Sequence, residues 1–247
     1  MKLTIVGSGD AFGSGGRFNT CFWVETAKAT LLVDCGASSP VALKATGLDH
    51  GNVDGIILSH LHGDHFGALP FLLLDAQLVA RRERPLTIAG PPGSRARIET
   101  ALECFFPRAT TNRWRFPFDI VEIEVGKPTE VLGHTVTTTE VVHQSGAPST
   151  AVRLSEGDKS LAYSGDTEWT DALIGVADGA DLFICECYGY VGVLRGHLSW
   201  EVLKPKLSSL RAKRIMLTHM NPSMLAKVEE ARAAGVMIAE DGMVVEI

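Results

Sequence analysis

Apolar residues in this chain fall mostly in short runs. "KLTIVG", "TCFWVE", "TLLVDCG", "GIILSH", "LTIAG", "IVEIEV", "HTVTTTEVV", "TAVRL", "SLAYSGD", "DLFICE", "RIMLTH" and "MVVEI" are rich in β-branched and aromatic residues and predict strands. Between some of them the apolar positions change to helical spacing. "SPVALKATGL" has a Ser-Pro start and a Gly near its end, and predicts a helix. Residues 66–82, "GSRARIETALECFF", "EWTDALIGVA", "SWEVLKPKLSSL" and "NPSMLAKVEEARAAG" do the same, the last closing on Gly235. The first half holds more strands than helices, whereas the second half alternates the two. That order predicts two packed sheets with helices outside them, not one parallel sheet. With no repeat, low-complexity tract or linker, residues 1–247 read as one domain. Residues 107–118, "PRATTNRWRFPF", show neither period. Arg108, Arg113, Trp114 and Arg115 there suit a substrate-facing loop, a subunit contact or a solvated surface loop.

Composition narrows the function classes. The chain is 45% hydrophobic and 21% charged, which suits a soluble globular protein with a sizeable core. A formal net charge of -6 speaks against nucleic acid as the main partner. No stretch approaches the roughly 18 apolar residues of a membrane span, and the start "MKLTIVGSGDAF" is too short in apolar residues for a signal peptide. The cysteines Cys21, Cys35, Cys104, Cys185 and Cys187 lack C-x-x-C spacing, which fits reduced thiols in a cytoplasm. Cys185 and Cys187 alternate along one strand and read as buried thiols sharing a face.

The chemistry concentrates in "ILSHLHGDHFGALPFL", residues 57–72, where His60, His62, Asp64 and His65 fall within six residues. A strand would point His60 and His62 the same way. Gly63 then reads as the hinge that returns Asp64 and His65 to the same spot. Neutral imidazole and carboxylate suit zinc, manganese or iron. Three more ligand-type residues follow apolar strands: His143 after "TVTTTEVV", Asp166 in "SLAYSGD" and His219 in "RIMLTH". Each sits where loops at strand ends usually build sites. Together these residues could serve two metal ions with one bridging carboxylate.

The order H-x-H-x-D-H, a lone His, "SGDT" and "LTH" resembles the metallo-β-lactamase superfamily across residues 1–247. "GSGDAF", "GPPG" at Gly90 to Gly93, "YSGDT", "ICE" followed by "GHLS", and "LTHMNP" resemble its ribonuclease Z branch and the small phosphodiesterases related to it. The resemblance implies an αββα sandwich of two mixed β-sheets flanked by helices. It implies two divalent metal ions, zinc first with manganese or iron as alternatives. One ion would be held by His60, His62 and His143, the other by Asp64, His65 and His219, with Asp166 bridging. It further implies a bridging hydroxide attacking phosphorus, Asp64 orienting that water, and Glu186 with His197 assisting the leaving group. Diiron relatives carry Glu where His62 stands here, so hydrolysis is favoured over redox chemistry. Asp34 resembles the superfamily's supporting carboxylate, and Ser59 suits a similar role. Arg195 suits a phosphate contact or plain solvent exposure, and "GPPG" a substrate border or a mere turn. His50 and His134 lie outside the pattern.

One departure bears on substrate. Transfer-RNA-processing members of the branch it resembles usually carry an arm that grips the RNA, in bacterial forms between the lone His and "SGDT", yet only residues 144–165 separate His143 from Asp166. A small or cyclic phosphodiester therefore fits better than transfer RNA. A non-phosphate ester, lactone or thioester stays open, a transfer-RNA 3′-end endonuclease is less favoured, and a non-catalytic metal-binding protein least of all. The branch also implies a homodimer.

Overall fold

The computed structural model describes residues 1–247. Its strands are β1 (Lys2–Gly7), β2 (Cys21–Glu25), β3 (Thr30–Val33), β4 (Gly55–Ile57), β5 (Leu86–Gly90), β6 (Phe118–Glu122) and β7 (Thr129–Val131). The remainder are β8 (His134–Glu140), β9 (Thr150–Glu156), β10 (Lys159–Tyr163), β11 (Leu182–Glu186), β12 (Ile215–Thr218), β13 (Met237–Ile238) and β14 (Val244–Glu246). They form two sheets, ordered β14-β1-β2-β3-β4-β5-β6 and β13-β12-β11-β10-β9-β8-β7. In the first, β14, β1, β2 and β3 pair antiparallel and β3 to β6 pair parallel. The second repeats the arrangement, antiparallel from β7 to β10 and parallel from β10 to β13.

The runs of consecutive apolar residues follow from burial on both faces of each sheet. Leu31 and Ile57 point between the sheets with Phe22, Leu154, Tyr163 and Ile184. Their neighbours Leu32 and Ile56 point outward beneath helices α1 (Ser39–Ala45), α3 (Leu69–Leu78) and α4 (Ser94–Phe105), against Leu43, Leu73 and Leu102. On the far side Phe183, Cys185 and Leu217 meet Leu173, Trp200 and Ala231 from the helical segments of the second half. The result is the αββα sandwich of the metallo-β-lactamase fold. Truncating a buried side chain such as Phe183, which is fully buried, costs about 3–5 kcal/mol.

Several local expectations change. The helix read over residues 66–82 is shortened to α3, with Pro70 near its start, and a separate turn of helix, α2 (Gly63–Phe66), ends where that stretch begins. The "NPSMLAKVEEARAAG" stretch likewise forms two short helices, Pro222–Leu225 and Val228–Ala233. Residues 107–118 do carry a pattern. Trp114, Phe116 and Phe118 lie two apart and turn the same way, with ring centroids 5.1–6.0 Å from one another, onto the outer core under α4. None of the three belongs to the histidine cluster. No helix is long and apolar enough to cross a membrane.

Candidate metal centre

The cluster forms where strand ends from both sheets meet. Asp34 follows β3, Ser59 and His60 follow β4, His143 follows β8, Asp166 follows β10, Glu186 closes β11 and His219 follows β12. This is the carboxyl edge of the parallel strands, where open α/β sheets place their ligands. Strand β4 ends at Ile57, so the approach of His60 and His62 is made by loop and not by strand alternation. His62 is extended, and α2 begins directly after it at Gly63.

Gly63 is not a hinge in the sense read from the sequence. Its φ is not positive, and a Cβ there would meet nothing within 4 Å. The glycine the corner requires is Gly36, where an added Cβ would lie 2.1 Å from the Asp64 carbonyl oxygen. Asp34 and His219 are themselves left-handed, with φ of 59° and 60°, and both flank the cluster. Such backbone is sparsely populated outside glycine and collects at functional sites.

The ligand-type atoms fall into two main groups, His60 with His62 and His143, and Asp64 with His65, Asp166 and His219, each with its atoms within 4.8 Å of one another. Asp166 Oδ2 lies between them. It is 3.3 Å from His65 Nε2, 3.4 Å from His219 Nε2, 3.8 Å from His60 Nε2 and 4.0 Å from His143 Nε2. Asp64 Oδ2 is 3.1 Å from His219 Nε2 and 3.2 Å from His65 Nε2.

Hydrogen bonds behind the cluster set the tautomers. The Asp34 carboxylate accepts from His65 Nδ1 and from the Ser59 hydroxyl, both at 2.7 Å. Because Ser59 donates to Asp34, its oxygen is left to accept from His60 Nδ1 at 3.0 Å. The Gly196 carbonyl accepts from His143 Nδ1 at 2.7 Å. In all three rings the proton sits on Nδ1, so Nε2 turns a lone pair towards the cluster. His60 Nε2, His65 Nε2 and Asp166 Oδ1 are buried without any hydrogen-bond partner. Orphaned buried acceptors are costly, and imidazole and carboxylate acceptors left unpaired in one cluster fit the donor set of a divalent ion.

The same crowding shifts the titrations. Burial, reinforced by His65, holds His60 well below the usual histidine range. Burial would also lower His65, but Asp166, Asp64 and Asp34 outweigh it and raise the ring well above that range. Burial opposes ionisation of half-buried Asp64 and of buried Asp166, yet the neighbouring His65 and His219 hold both carboxyls well below their ordinary values, so the carboxylates draw positive charge to the point where the inward Nε2 atoms converge.

Beside this centre lies a second pair. Glu186 is fully buried, and its carboxylate accepts from His197 Nδ1 at 3.1 Å and from the backbone N–H groups of Thr167, Tyr188 and Leu198. Burial pushes Glu186 up, opposed by His197. Burial would lower His197, but the Glu186 hydrogen bond and charge, with Asp166 and Asp64 behind them, push it up to about 9. Ser199 caps the helix that follows, its hydroxyl accepting from the Val202 N–H at 3.4 Å. The His197, Tyr188 and His219 rings form a triangle, with centroids 4.8 Å (His197–Tyr188), 5.6 Å (His197–His219) and 6.0 Å (Tyr188–His219) apart.

Tyr188 and the Gly196 carbonyl went unread in the sequence. A tyrosine two residues past Glu186 has no motif to mark it, and a backbone carbonyl carries no sequence signal. His50 sits in a turn near Asp75, and His134 is bound to Thr26 at 2.8 Å, so neither joins the cluster. Cys185 and Cys187 face the outer core, and all five cysteines are free. The "GPPG" turn leads through Gly93, at φ 95°, into α4, and Gly93 lines a small cleft with Leu61 and Arg97.

A family model described as anti-Pycsar protein Apyc1 matches residues 1–242. The chain belongs to the anti-Pycsar Apyc1 family. Among relatives of this Apyc1 family member, ribonuclease Z of Lachnoclostridium phytofermentans is 25% identical over 278 residues, covering 91% of this chain and 88% of that protein. The structure of human tRNase Z, short form, superposes with a TM-score of 0.78 at 25% identity, over 100% of this chain and 99% of that one. The metallo-β-lactamase fold protein YhfI from Bacillus subtilis gives a TM-score of 0.82 at 23% identity, over 100% and 98%, a likeness of fold. The protein is a metal-dependent hydrolase of the metallo-β-lactamase superfamily, similar to ribonuclease Z.

Proposed function

We propose that this Apyc1 family member is a phosphodiesterase that works with two divalent ions on a small or cyclic phosphodiester. The observation that carries the reading is the set of histidines fixed with Nε2 inward around the shared Asp166 carboxylate. His60, His62 and His143 would hold one ion, Asp64, His65 and His219 the other, and Asp166 both; zinc suits the donors best, then manganese or iron. Bound there, the ions supply an acidified water and neutralise charge developing on phosphate oxygens.

The remaining work falls to the chain's own groups. Asp64 orients the attacking water. Glu186 fixes the His197 ring through Nδ1, and His197 Nε2 has no protein hydrogen-bond partner. The Glu186 carboxylate at Nδ1 favours the protonated ring, whose free Nε2 would give its proton to the departing oxygen. The ribonuclease Z relatives support phosphodiester chemistry. Between His143 and Asp166 stand only a short loop, residues 144–149, and the β9–β10 hairpin, which supports a substrate smaller than transfer RNA. Five free cysteines support a reducing cytoplasm, and likeness to ribonuclease Z supports a homodimer.

The test is a substrate panel on metal-loaded protein: bis-p-nitrophenyl phosphate, cyclic nucleotides, a precursor transfer RNA, a lactone and a thioester. Turnover of the diesters is expected, abolished by chelation and restored by zinc or manganese. Turnover confined to the lactone or thioester would overturn the phosphodiesterase reading, and two bound ions with no turnover at all would point to a non-catalytic protein.

A further inference from the structure

A cavity of about 200 Å³ opens beside the centre on the His143 side, lined by Val142, His143, Gln144, Glu168, Arg195 and Gly196. His143 belongs to both the cavity and the metal cluster, and Gly196 fastens the Arg195 loop to that ring through its carbonyl. Arg195 is the one cationic side chain in the lining. Its Nη2 donates to Gln144 Oε1 at 3.0 Å, and it forms no ion pair. A carboxylate is at hand in the same cavity, but Glu168 Oε1 accepts instead from the Gly196 N–H at 2.8 Å. A structural arginine here would be expected to pair with that acid. Arg195 is held by a neutral amide, which positions the guanidinium and leaves its charge uncompensated.

We infer that Arg195 is a substrate-binding residue that reads the negative charge of the phosphodiester at the His143 rim, with Gln144 as its positioning residue. The inference rests on the phosphodiesterase reading. The planar fork of a guanidinium matches phosphate oxygens, and an ammonium does not reproduce it. An uncompensated cation at the rim attracts an anionic ester and gains nothing from a neutral one, so it favours the first over the second. Arg195 is thereby a specificity determinant.

The experiment compares the full chain with Arg195→Ala, Arg195→Lys and Gln144→Ala, each loaded with zinc and checked for metal content. Calorimetry with inorganic phosphate and kinetics on bis-p-nitrophenyl phosphate and neutral p-nitrophenyl acetate are the readouts. Arg195→Ala is expected to weaken phosphate binding by about tenfold, the lower end for a hydrogen bond to a charged group. KM for the diester rises similarly while kcat changes less, and preference for the diester over the neutral ester falls. Arg195→Lys restores part of the loss, and Gln144→Ala gives a smaller defect of the same kind. Unchanged phosphate affinity in Arg195→Ala, or equal loss on both esters, would overturn the inference, as would loss of metal from both arginine variants. If the unaltered protein fails to cleave the diester while Arg195→Ala still loses phosphate affinity, the phosphodiesterase reading falls and the anion site stands.

Discussion

Asp34 offers the most direct test of how the centre is held together. It is fully buried and touches no substrate, yet its two oxygens take three donors at 2.7 Å: the Ser59 N–H, the Ser59 hydroxyl and His65 Nδ1. The informative substitution is Asp34→Asn and not Asp34→Ala. Asparagine keeps the shape and tolerates the left-handed backbone at φ 59°, whereas alanine would add a cavity and backbone strain.

An amide can serve only one side of this network. If its oxygen stays towards His65, its NH2 faces the Ser59 N–H, leaving buried donors opposed at a cost of about 1–3 kcal/mol. If it turns over, His65 must move its proton to Nε2 and the inward lone pair is lost. If Asp64, His65, Asp166 and His219 hold an ion as proposed, either outcome should weaken its binding, by about 10–100-fold for a supporting carboxylate. That corresponds to roughly 1.4–2.8 kcal/mol. Chelator competition with zinc measures it, and calorimetric unfolding of the metal-free protein separates fold from site. Weakening of one equivalent beyond the other is expected, with some spread to the His60 group through Ser59. Two equivalents bound with unaltered affinity would refute the assignment of Asp34 as the group that fixes the His65 tautomer.

Three further outcomes follow from the same geometry. His197→Ala should slow cleavage of alkyl phosphodiesters by about 10²–10⁴-fold and of p-nitrophenyl diesters far less, because only the poor leaving group needs the proton; equal loss on both would remove the acid role. Gly36→Ala should lower stability by about 1–3 kcal/mol in thermal unfolding, since its Cβ would collide with the Asp64 carbonyl; an unchanged midpoint with full metal content would contradict the packing. Asp181 is held below the ordinary carboxylate range chiefly by its hydrogen bond from Lys213 at 2.8 Å, and also by the Ser160 N–H. The contribution of this depressed group is present at neutral pH and lost as pH falls through its folded value. Asp181→Asn should therefore cost about 1 kcal/mol near pH 7, a deficit that narrows below about pH 4 in denaturant titrations.

What the sequence made legible was whatever is local or periodic. The runs "TLLVDCG" and "GIILSH" announce strands buried on both faces because their apolar residues are consecutive, and Leu31 and Leu32 do face opposite cores. The density of His60, His62, Asp64 and His65 announces a metal before any fold is known. Non-local contacts were not legible. Gly63 attracted the hinge role because it sits inside the motif, whereas the close approach is made by Gly36, 28 positions before Asp64 in the chain and adjacent to it only in space. Trp114, Phe116 and Phe118 show the opposite failure, a period of two present in the sequence but masked by the arginines and prolines around it.

The division of the ligand-type residues carries a physical consequence. His60, His62, Asp64 and His65 hang from the first sheet, and His143, Asp166 and His219 from the second. Neither half could assemble either group alone, since His143 completes one and Asp166 with His219 the other. Ion binding is therefore linked to the docking of one sheet on the other through the Phe22, Leu154, Tyr163 and Ile184 layer. A ligand that binds only the docked state stabilises it by mass action. On the two-ion proposal, loosening that layer should weaken both ions together, whereas Asp34→Asn, acting behind His65, should divide them.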